Sequence, residues 1–148
     1  MQAQQADDVH VVCAACATEN RIAAQRLGDA PKCGKCGAAL LPDGPVELTD
    51  ATYDTVIART GLPVVVDYWA AWCGPCRAMA PQFKAAAREL QTRVLFAKVD
   101  TEAAQAVAAR AGIRAIPTLV LFRDGREVAR TSGAMDARTL VNWITKQV

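Results

Sequence analysis

The residues best suited to chemistry are six cysteines, which form three Cys-x-x-C pairs. Two pairs, Cys13/Cys16 and Cys33/Cys36, lie near the N-terminus and are separated by sixteen residues, 17–32. Two such pairs at this spacing are typical of a four-thiolate zinc site. We predict that these four cysteines hold one structural zinc ion, because a closed four-sulfur site leaves no position for a substrate. Two disulfides and an iron site are the alternatives.

The two predicted zinc knuckles differ in quality. In Cys33-Gly-Lys-Cys36-Gly, the glycines Gly34 and Gly37 allow a tight turn that points backbone N–H groups at sulfur. The Cys13-Ala-Ala-Cys16 segment lacks these glycines, so we expect a poorer knuckle there. Basic residues nearby are not accompanied by aromatic ones, which argues against a nucleic-acid-binding ribbon.

The third pair, Cys73/Cys76, stands alone where a predicted strand passes into a predicted helix. Orphan N–H groups and the helix dipole favour a thiolate at Cys73, and Cys76 lies on the same helical face. Pro75 suits the first helical turn because its missing N–H leaves no bond unmade. A metal site would need two more ligands, whereas His10 is the only histidine. The pattern therefore predicts a redox pair.

Alternating strand and helix patterns surround this pair and predict an α/β fold. The apolar run LPVVVDYWA predicts a strand buried on both faces, and Asp124-Gly125 predicts a hairpin turn. The predicted elements are a helix capped by Asp50 and running to about 59, a strand over 62–70, a helix over 74–91, a strand over 93–99, a helix ending near 111, the hairpin, and a last helix opening at 136. This order predicts a central mixed sheet with helices on both sides.

Composition divides the chain in two. The first 40 residues have little periodicity, and a segment this short usually needs a metal or disulfides to fold. Pro42, Gly44 and Pro45 then punctuate the sequence. We predict a zinc-ribbon domain over 1–42 and a larger domain over 43–148.

Bulk properties exclude several classes of protein. A hydrophobic content of 52% over 148 residues argues against disorder, and a net charge of +2 is too small to imply nucleic acid or a membrane as partner. No stretch approaches the ~18 apolar residues needed to cross a bilayer. The first residues show neither a basic nor an apolar leader region, which predicts a cytoplasmic protein with reduced cysteines.

Residues from about 46 to 148, with the motif Trp-Cys-Gly-Pro-Cys, resemble the thioredoxin family. With the twin knuckles, the whole chain resembles the zinc-ribbon branch of that family, bacterial thioredoxin 2. The resemblance implies a thioredoxin fold and a protein disulfide reductase that acts on oxidised proteins. Nothing in the sequence demands more than a monomer. The resemblance also implies re-reduction by a flavin-containing thioredoxin reductase that draws on NADPH. Because this chain has no nucleotide-binding glycine motif, we expect NADPH to be bound by that partner. There are two alternatives: the protein is an oxidase or isomerase, or it is a zinc-regulated redox switch or chaperone.

The resemblance also implies roles for single residues. Asp67, inside an apolar strand, would exchange a proton with Cys76, and Lys98 would moderate Asp67. Alternatively, Asp67 is a strand-end carboxylate hydrogen-bonded only to backbone, and Lys98 is a lysine whose side chain lies along a sheet edge.

The docking surface implied by the resemblance surrounds the redox pair. Trp72 would offer a contact face, although an aromatic there could equally belong to the core. A cis Ile116–Pro117 bond would present backbone for pairing with an extended substrate. The implied surface comprises Trp72, Gly74, Pro75, Ile116, Pro117, Gly133 and Ala134.

Overall fold

The computed structural model describes residues 7–148. Residues 1–6, which the sequence analysis counted in the ribbon and in the leader argument, lie outside the described residues. The strands are β1 (Asp8–Val12), β2 (Glu19–Ala23), β3 (Val46–Leu48), β4 (Val64–Trp69), β5 (Leu95–Asp100), β6 (Thr118–Arg123) and β7 (Arg126–Ser132). The α-helices are α1 (Tyr53–Arg59), α2 (Gly74–Glu89), α3 (Gln105–Arg110) and α4 (Ala137–Gln147). Over residues 7–148, none of the helices has the length and apolar character needed to span a membrane.

The strands form two sheets. Strands β1 and β2 make an antiparallel hairpin, and the larger sheet has the order β3-β5-β4-β6-β7. In this sheet β3 and β4 each run parallel to β5, whereas β6 runs antiparallel to both of its neighbours, β4 and β7. The predicted mixed sheet flanked by helices is therefore confirmed. The edge strand β3 was not predicted, because three residues beside Pro and Gly carry no strand periodicity.

Helices cover both faces of the larger sheet. Alternation along β4 divides its side chains, so that Val64, Val66 and Tyr68 pack on the α1 and α3 side. Val65 packs on the other side, against Met79 and Phe83 of α2 and the apolar residues of α4. The strand that leads to the redox pair is thus buried on both faces, as its apolar run predicted.

The N-terminal ribbon shares the core on the α1 side. Val11 and Val12 of β1 belong to the same buried cluster as Val56 of α1. The Val12 N–H donates to Thr60 Oγ1 at 3.2 Å, and the Gly61 N–H donates to the His10 carbonyl at 2.6 Å. The ribbon therefore docks beside the N-terminal end of β4. The shared core contributes to the ordering of this short segment.

Two helix signals in the sequence had different outcomes. Asp136 caps α4 as predicted, with its Oδ1 accepting from the Thr139 N–H at 2.9 Å. Asp50 does not cap α1, which begins at Tyr53 without a side-chain cap. Its carboxylate instead accepts from the Val107 N–H of α3 at 3.2 Å. Pro81 lies inside α2, which runs without a break from Gly74 to Glu89.

Candidate active site and metal centre

Strand β4 and helix α2 together position the redox pair. Cys73 is the N-cap residue of α2, with extended backbone, and Cys76 lies in the first turn. The two sulfurs are joined as a disulfide, and both residues are buried. The Cys76 N–H donates to Cys73 Sγ at 3.2 Å. When the pair is reduced, this amide and the helix dipole stabilise negative charge on Cys73.

A groove of about 550 Å³ opens beside Cys73. Trp72, which is 68% exposed, forms one wall, and Ile116 forms another. Cys73 Sγ lies 3.8 Å from the Ile116 carbonyl oxygen, and the Ile116–Pro117 bond is cis. The groove is lined by Trp72, Cys73, Gly74, Pro75, Thr101, Ala108, Ile113, Arg114, Ala115 and Ile116. The groove is therefore lined both by Cys73 and by the residue that precedes the cis bond.

Two other residues of the predicted docking surface lie farther out. The Gly133 N–H donates to the Pro117 carbonyl at 2.9 Å, which ties the end of β7 to the cis loop. Gly133 and Ala134 are exposed, but neither lines the groove. Gly133 therefore adjoins the cis loop but lies outside the groove lining.

The groove contains contacts that the sequence did not reveal. The Trp72 indole N–H donates to Glu102 Oε2 at 3.4 Å, which holds the exposed ring in place. Arg114 is a lining residue with a positive charge. Both lie far from the cysteines along the chain, so no local pattern could have pointed to them.

Asp67 lies in the middle of β4 and is completely buried. Neither carboxylate oxygen has a hydrogen-bond partner among residues 7–148. Burial raises the pKa of this carboxyl to about 7, with the Lys98 charge opposing the rise and the Glu47 charge adding to it. A carboxyl with these properties can hold a proton at neutral pH and release it again.

Lys98 lies next to Asp67 in the sheet, since the two residues are paired in the register of β4 and β5. Its Nζ lies 4.5 Å from the centroid of the Trp69 ring. In the described part of the chain Lys98 forms no ion pair within 4.0 Å, so its charge acts on Asp67 from a distance.

The four ribbon cysteines meet at one point. Their sulfurs all lie within 4.8 Å of one another, and all four thiols are free. Cys13 and Cys36 sulfurs are 3.6 Å apart, and those of Cys16 and Cys33 are 3.7 Å apart. Sulfurs placed ~2.3 Å from a central zinc in a tetrahedron would be about 3.8 Å apart. The donor set and the spacing therefore fit a tetrahedral thiolate-preferring metal ion such as zinc.

The two knuckles have the same backbone form. The Ala17 N–H donates to the Cys13 carbonyl at 2.8 Å, and the Gly37 N–H donates to the Cys33 carbonyl at 2.9 Å. Ala17 has a φ of 64° and Gly37 a φ of 80°. The first knuckle thus matches the second although an alanine occupies the left-handed position, contrary to the poorer turn expected from its sequence.

Asn20 links the two knuckles and was not predicted. Its Oδ1 accepts from the Gly34 N–H at 2.9 Å, and its Nδ2 donates to the Thr18 carbonyl at 3.1 Å. Such contacts fix the orientation of the ligands behind a metal.

The thiols of the cluster differ in acidity. Burial raises the pKa of Cys13 to about 11, whereas the backbone N–H groups of Cys36 and Lys35 lower the pKa of Cys33 to about 6. A cation at the centre would favour the thiolate form of every ligand.

Family models match most of the chain. The model described as Thioredoxin matches residues 44–146. A second model, described as Thioredoxin 2, N-terminal, matches residues 12–38 and so covers all four ribbon cysteines.

Several curated proteins are similar to the chain. Thioredoxin C-3 of Corynebacterium nephridii is 44% identical over 138 residues, which is 93% of this chain and 94% of that protein. Thioredoxin 1 of Synechococcus elongatus is 42% identical over 68% of this chain and 94% of its own length. Thioredoxin of Haemophilus influenzae is 35% identical over 70% of this chain and 96% of its own length.

Proposed function

The chain belongs to the thioredoxin family of thiol–disulfide oxidoreductases, and from that premise we propose that it reduces protein disulfides through Cys73 and Cys76. The observation that carries the proposal is the N-cap position of Cys73 beside an open groove. This position stabilises a thiolate beside the groove, where a substrate disulfide can approach it.

The first step transfers a substrate sulfur to Cys73. The disulfide docks against Trp72 and the Ile116 backbone, with Gly74 and Pro75 below and Gly133 and Ala134 at the margin. The Cys73 thiolate attacks one substrate sulfur, forming a mixed disulfide and breaking the substrate S–S bond. The second substrate sulfur leaves as a thiolate and takes up a proton.

The second step releases the reduced substrate. Cys76 is buried, so a proton acceptor inside the protein is needed, and Asp67 supplies it as a carboxylate. The Cys76 thiolate attacks Cys73 Sγ, the Cys73–Cys76 disulfide forms, and the remaining substrate sulfur leaves. Asp67 then gives that proton up to the departing substrate thiolate, and Lys98 limits how tightly Asp67 holds it. Two electrons have passed from the protein to the substrate.

The ribbon has a structural part in this proposal. Cys13, Cys16, Cys33 and Cys36 hold one zinc ion, which joins the two knuckles and completes a domain over 1–42, with the catalytic domain over 43–148. The limits of the two family matches, 12–38 and 44–146, support this division.

Re-reduction requires an external donor. We propose a thioredoxin reductase that uses NADPH, acting on a monomer in the cytoplasm. Membership of the family supports a reductase partner and oxidised proteins as substrates.

Turnover of insulin disulfides tests the function. We expect the wild-type chain to catalyse reduction by dithiothreitol, Cys73→Ser to lose more than about a thousandfold in rate, and Cys76→Ser to accumulate a mixed disulfide. Equilibration with glutathione buffers should give a reduction potential below about −230 mV. Normal turnover by Cys73→Ser would refute the assignment of the nucleophile, and a potential well above that value would make the protein an oxidase or isomerase.

A further inference from the structure

A row of charged residues crosses the sheet from its edge to Asp67. Glu47 of β3 is paired with Lys98 of β5, and Lys98 is paired with Asp67 of β4. Neighbouring strands lie about 4.8 Å apart, so the three residues follow one another at nearly the same level. The next residue in the row is Leu119 of β6, which ends the run of charges.

All three residues lie on the sheet face that α2 covers. Val46 and Leu48 belong to the core on the opposite side, so Glu47, which lies between them, projects towards the α2 side. Asp67 follows Val65 by two residues, and Val65 packs with residues of α2. The row therefore lies on the same side as the helix that carries Cys76.

Exposure falls along the row. Glu47 is exposed, Lys98 is half-buried and Asp67 is fully buried. Although Glu47 reaches solvent, its carboxyl is partly shielded, and this shielding raises its pKa against the opposing effect of Lys98. Lys98 thus stands between two carboxyl groups, and its charge acts on both.

We propose that Glu47 is a positioning residue for proton transfer at Asp67. Its negative charge at the edge of the row offsets part of the Lys98 charge and opposes ionisation of Asp67. Asp67 consequently keeps its proton to a higher pH than Lys98 alone would permit. The inference rests on the proposed role of Asp67 in the reductase reaction.

The other groups around Asp67 do not supply this effect. Helix α2 contributes the Cys73–Cys76 pair, which does not titrate in the oxidised protein, and β6 contributes apolar Leu119. Asp100, paired with Trp69 at the end of β4, acts on Glu47 and raises its pKa further.

The test follows the Asp67 carboxyl directly in the oxidised protein. Carbon-13 labelling of aspartate allows its titration to be measured by NMR in wild type and in Glu47→Gln. We expect the midpoint to fall by about 0.5 to 1 pH unit, because the variant loses a repelling charge and leaves Lys98 to Asp67 alone. Glu47→Asp, which retains the charge, should restore most of the wild-type midpoint.

Glu127→Gln is the matched control. Glu127 lies on β7, the other edge strand of the same sheet, and its carboxylate is bound to Arg130 at 2.8 Å. The same loss of charge there should leave the Asp67 midpoint unchanged. An unchanged midpoint in Glu47→Gln, or an equal shift in Glu127→Gln, would overturn the proposal.

The pH profile of insulin reduction separates this inference from the proposed function. If Asp67 accepts the Cys76 proton, the acid limb of the rate should move down in Glu47→Gln together with the NMR midpoint. A shifted midpoint with an unshifted rate would support Glu47 but refute the proton transfer by Asp67. A normal rate profile with an unshifted midpoint would leave the reductase standing and refute the role of Glu47.

Discussion

The same Cys-x-x-C spacing builds two different sulfur centres in this molecule. In each ribbon knuckle, the fourth residue after the first cysteine, Ala17 or Gly37, adopts a positive φ and closes the turn. At the redox site, the corresponding residue Arg77 continues a helix, and its N–H donates to the Cys73 carbonyl at 3.1 Å. The two centres therefore share a spacing but differ in the backbone that follows it, which is a left-handed turn in the ribbon and a helix after Cys73.

The two centres also differ in how their sulfurs are satisfied. The ribbon thiols face one another across two turns, so their charges need a cation. Cys73 has its partner within its own turn and a helix N-terminus behind it, so it needs none. Substitutions at the two centres should accordingly have separable effects.

Loss of one ribbon ligand should give the largest change. In Cys33→Ser we expect bound zinc to fall from one ion to none and the free energy of unfolding to fall by more than about 3 kcal/mol, because metal binding and ribbon folding are coupled. Elemental analysis and urea unfolding measure the two effects. Ala15→Ser, an exposed non-ligand position in the first knuckle, is the control and should retain zinc. Loss of the redox disulfide along with the zinc would contradict the separation of the two centres.

A substitution at Asp67 should change stability in the opposite direction. The pKa of Asp67 is about 7 in the folded protein, above the ordinary value of 3.8. Between these two pH values the unfolded chain has lost the proton and the folded chain still holds it, so the stability of the wild type falls as the pH rises. Asp67→Asn carries no such charge and should be about 2–4 kcal/mol more stable at pH 8, with little gain below pH 4. Urea unfolding of the oxidised proteins at several pH values measures the difference.

The exposed Asp54→Asn is the control for that experiment, since Asp54 is ion-paired on the surface with Arg110 at 3.2 Å. It should show no comparable gain at pH 8. Equal stabilisation by both substitutions would point to net charge rather than to burial at Asp67.

The contact between the two regions can be tested at Thr60. Thr60 is buried, and its hydroxyl accepts from the Val12 N–H, one residue before the first ribbon cysteine. Thr60→Val leaves that N–H without its partner and should cost about 1–2 kcal/mol, whereas Thr60→Ser should cost less. Hydrogen exchange should show faster opening of β1 in Thr60→Val. Unchanged exchange there would show that the shared apolar core alone holds the ribbon.

The smallest effect should come from the backbone of the first knuckle. Ala17→Gly relieves an alanine in the left-handed region and should stabilise the zinc form by about 0.5–1 kcal/mol. Gly37→Ala is the reciprocal change and should destabilise it by a similar amount, since a Cβ there would meet nothing within 4 Å and only the conformation is strained. If both substitutions changed the stability in the same direction, the two knuckles would not be equivalent. Urea unfolding of the zinc-loaded proteins measures both changes.

Local patterns in the sequence predicted the parts that depend on neighbours along the chain. The apolar run around Asp67 predicted a buried strand, and the position of Cys73 after that run predicted the helix start. The mixed sheet followed from the order of such elements. Asp136 illustrates the same point, because its capping partner lies only three residues away.

Contacts between distant segments could not be predicted in this way. Asp50 carries an ordinary capping signal, yet its partner is the Val107 N–H, 57 residues away. Glu102 beside Trp72 and Asn20 between the knuckles likewise act across the fold. The roles assigned to the site residues remain predictions for the experiments above.

The attachment of the ribbon at the start of β4 has a kinetic consequence. The redox pair follows the other end of that strand, and six residues at ~3.3 Å each place the two sulfur centres too far apart for direct exchange. Thiol–disulfide exchange requires contact between sulfurs, so an oxidised Cys73–Cys76 pair cannot oxidise the ribbon thiols of its own molecule. Any such transfer needs an encounter between two molecules, and its rate should therefore rise with the square of the protein concentration.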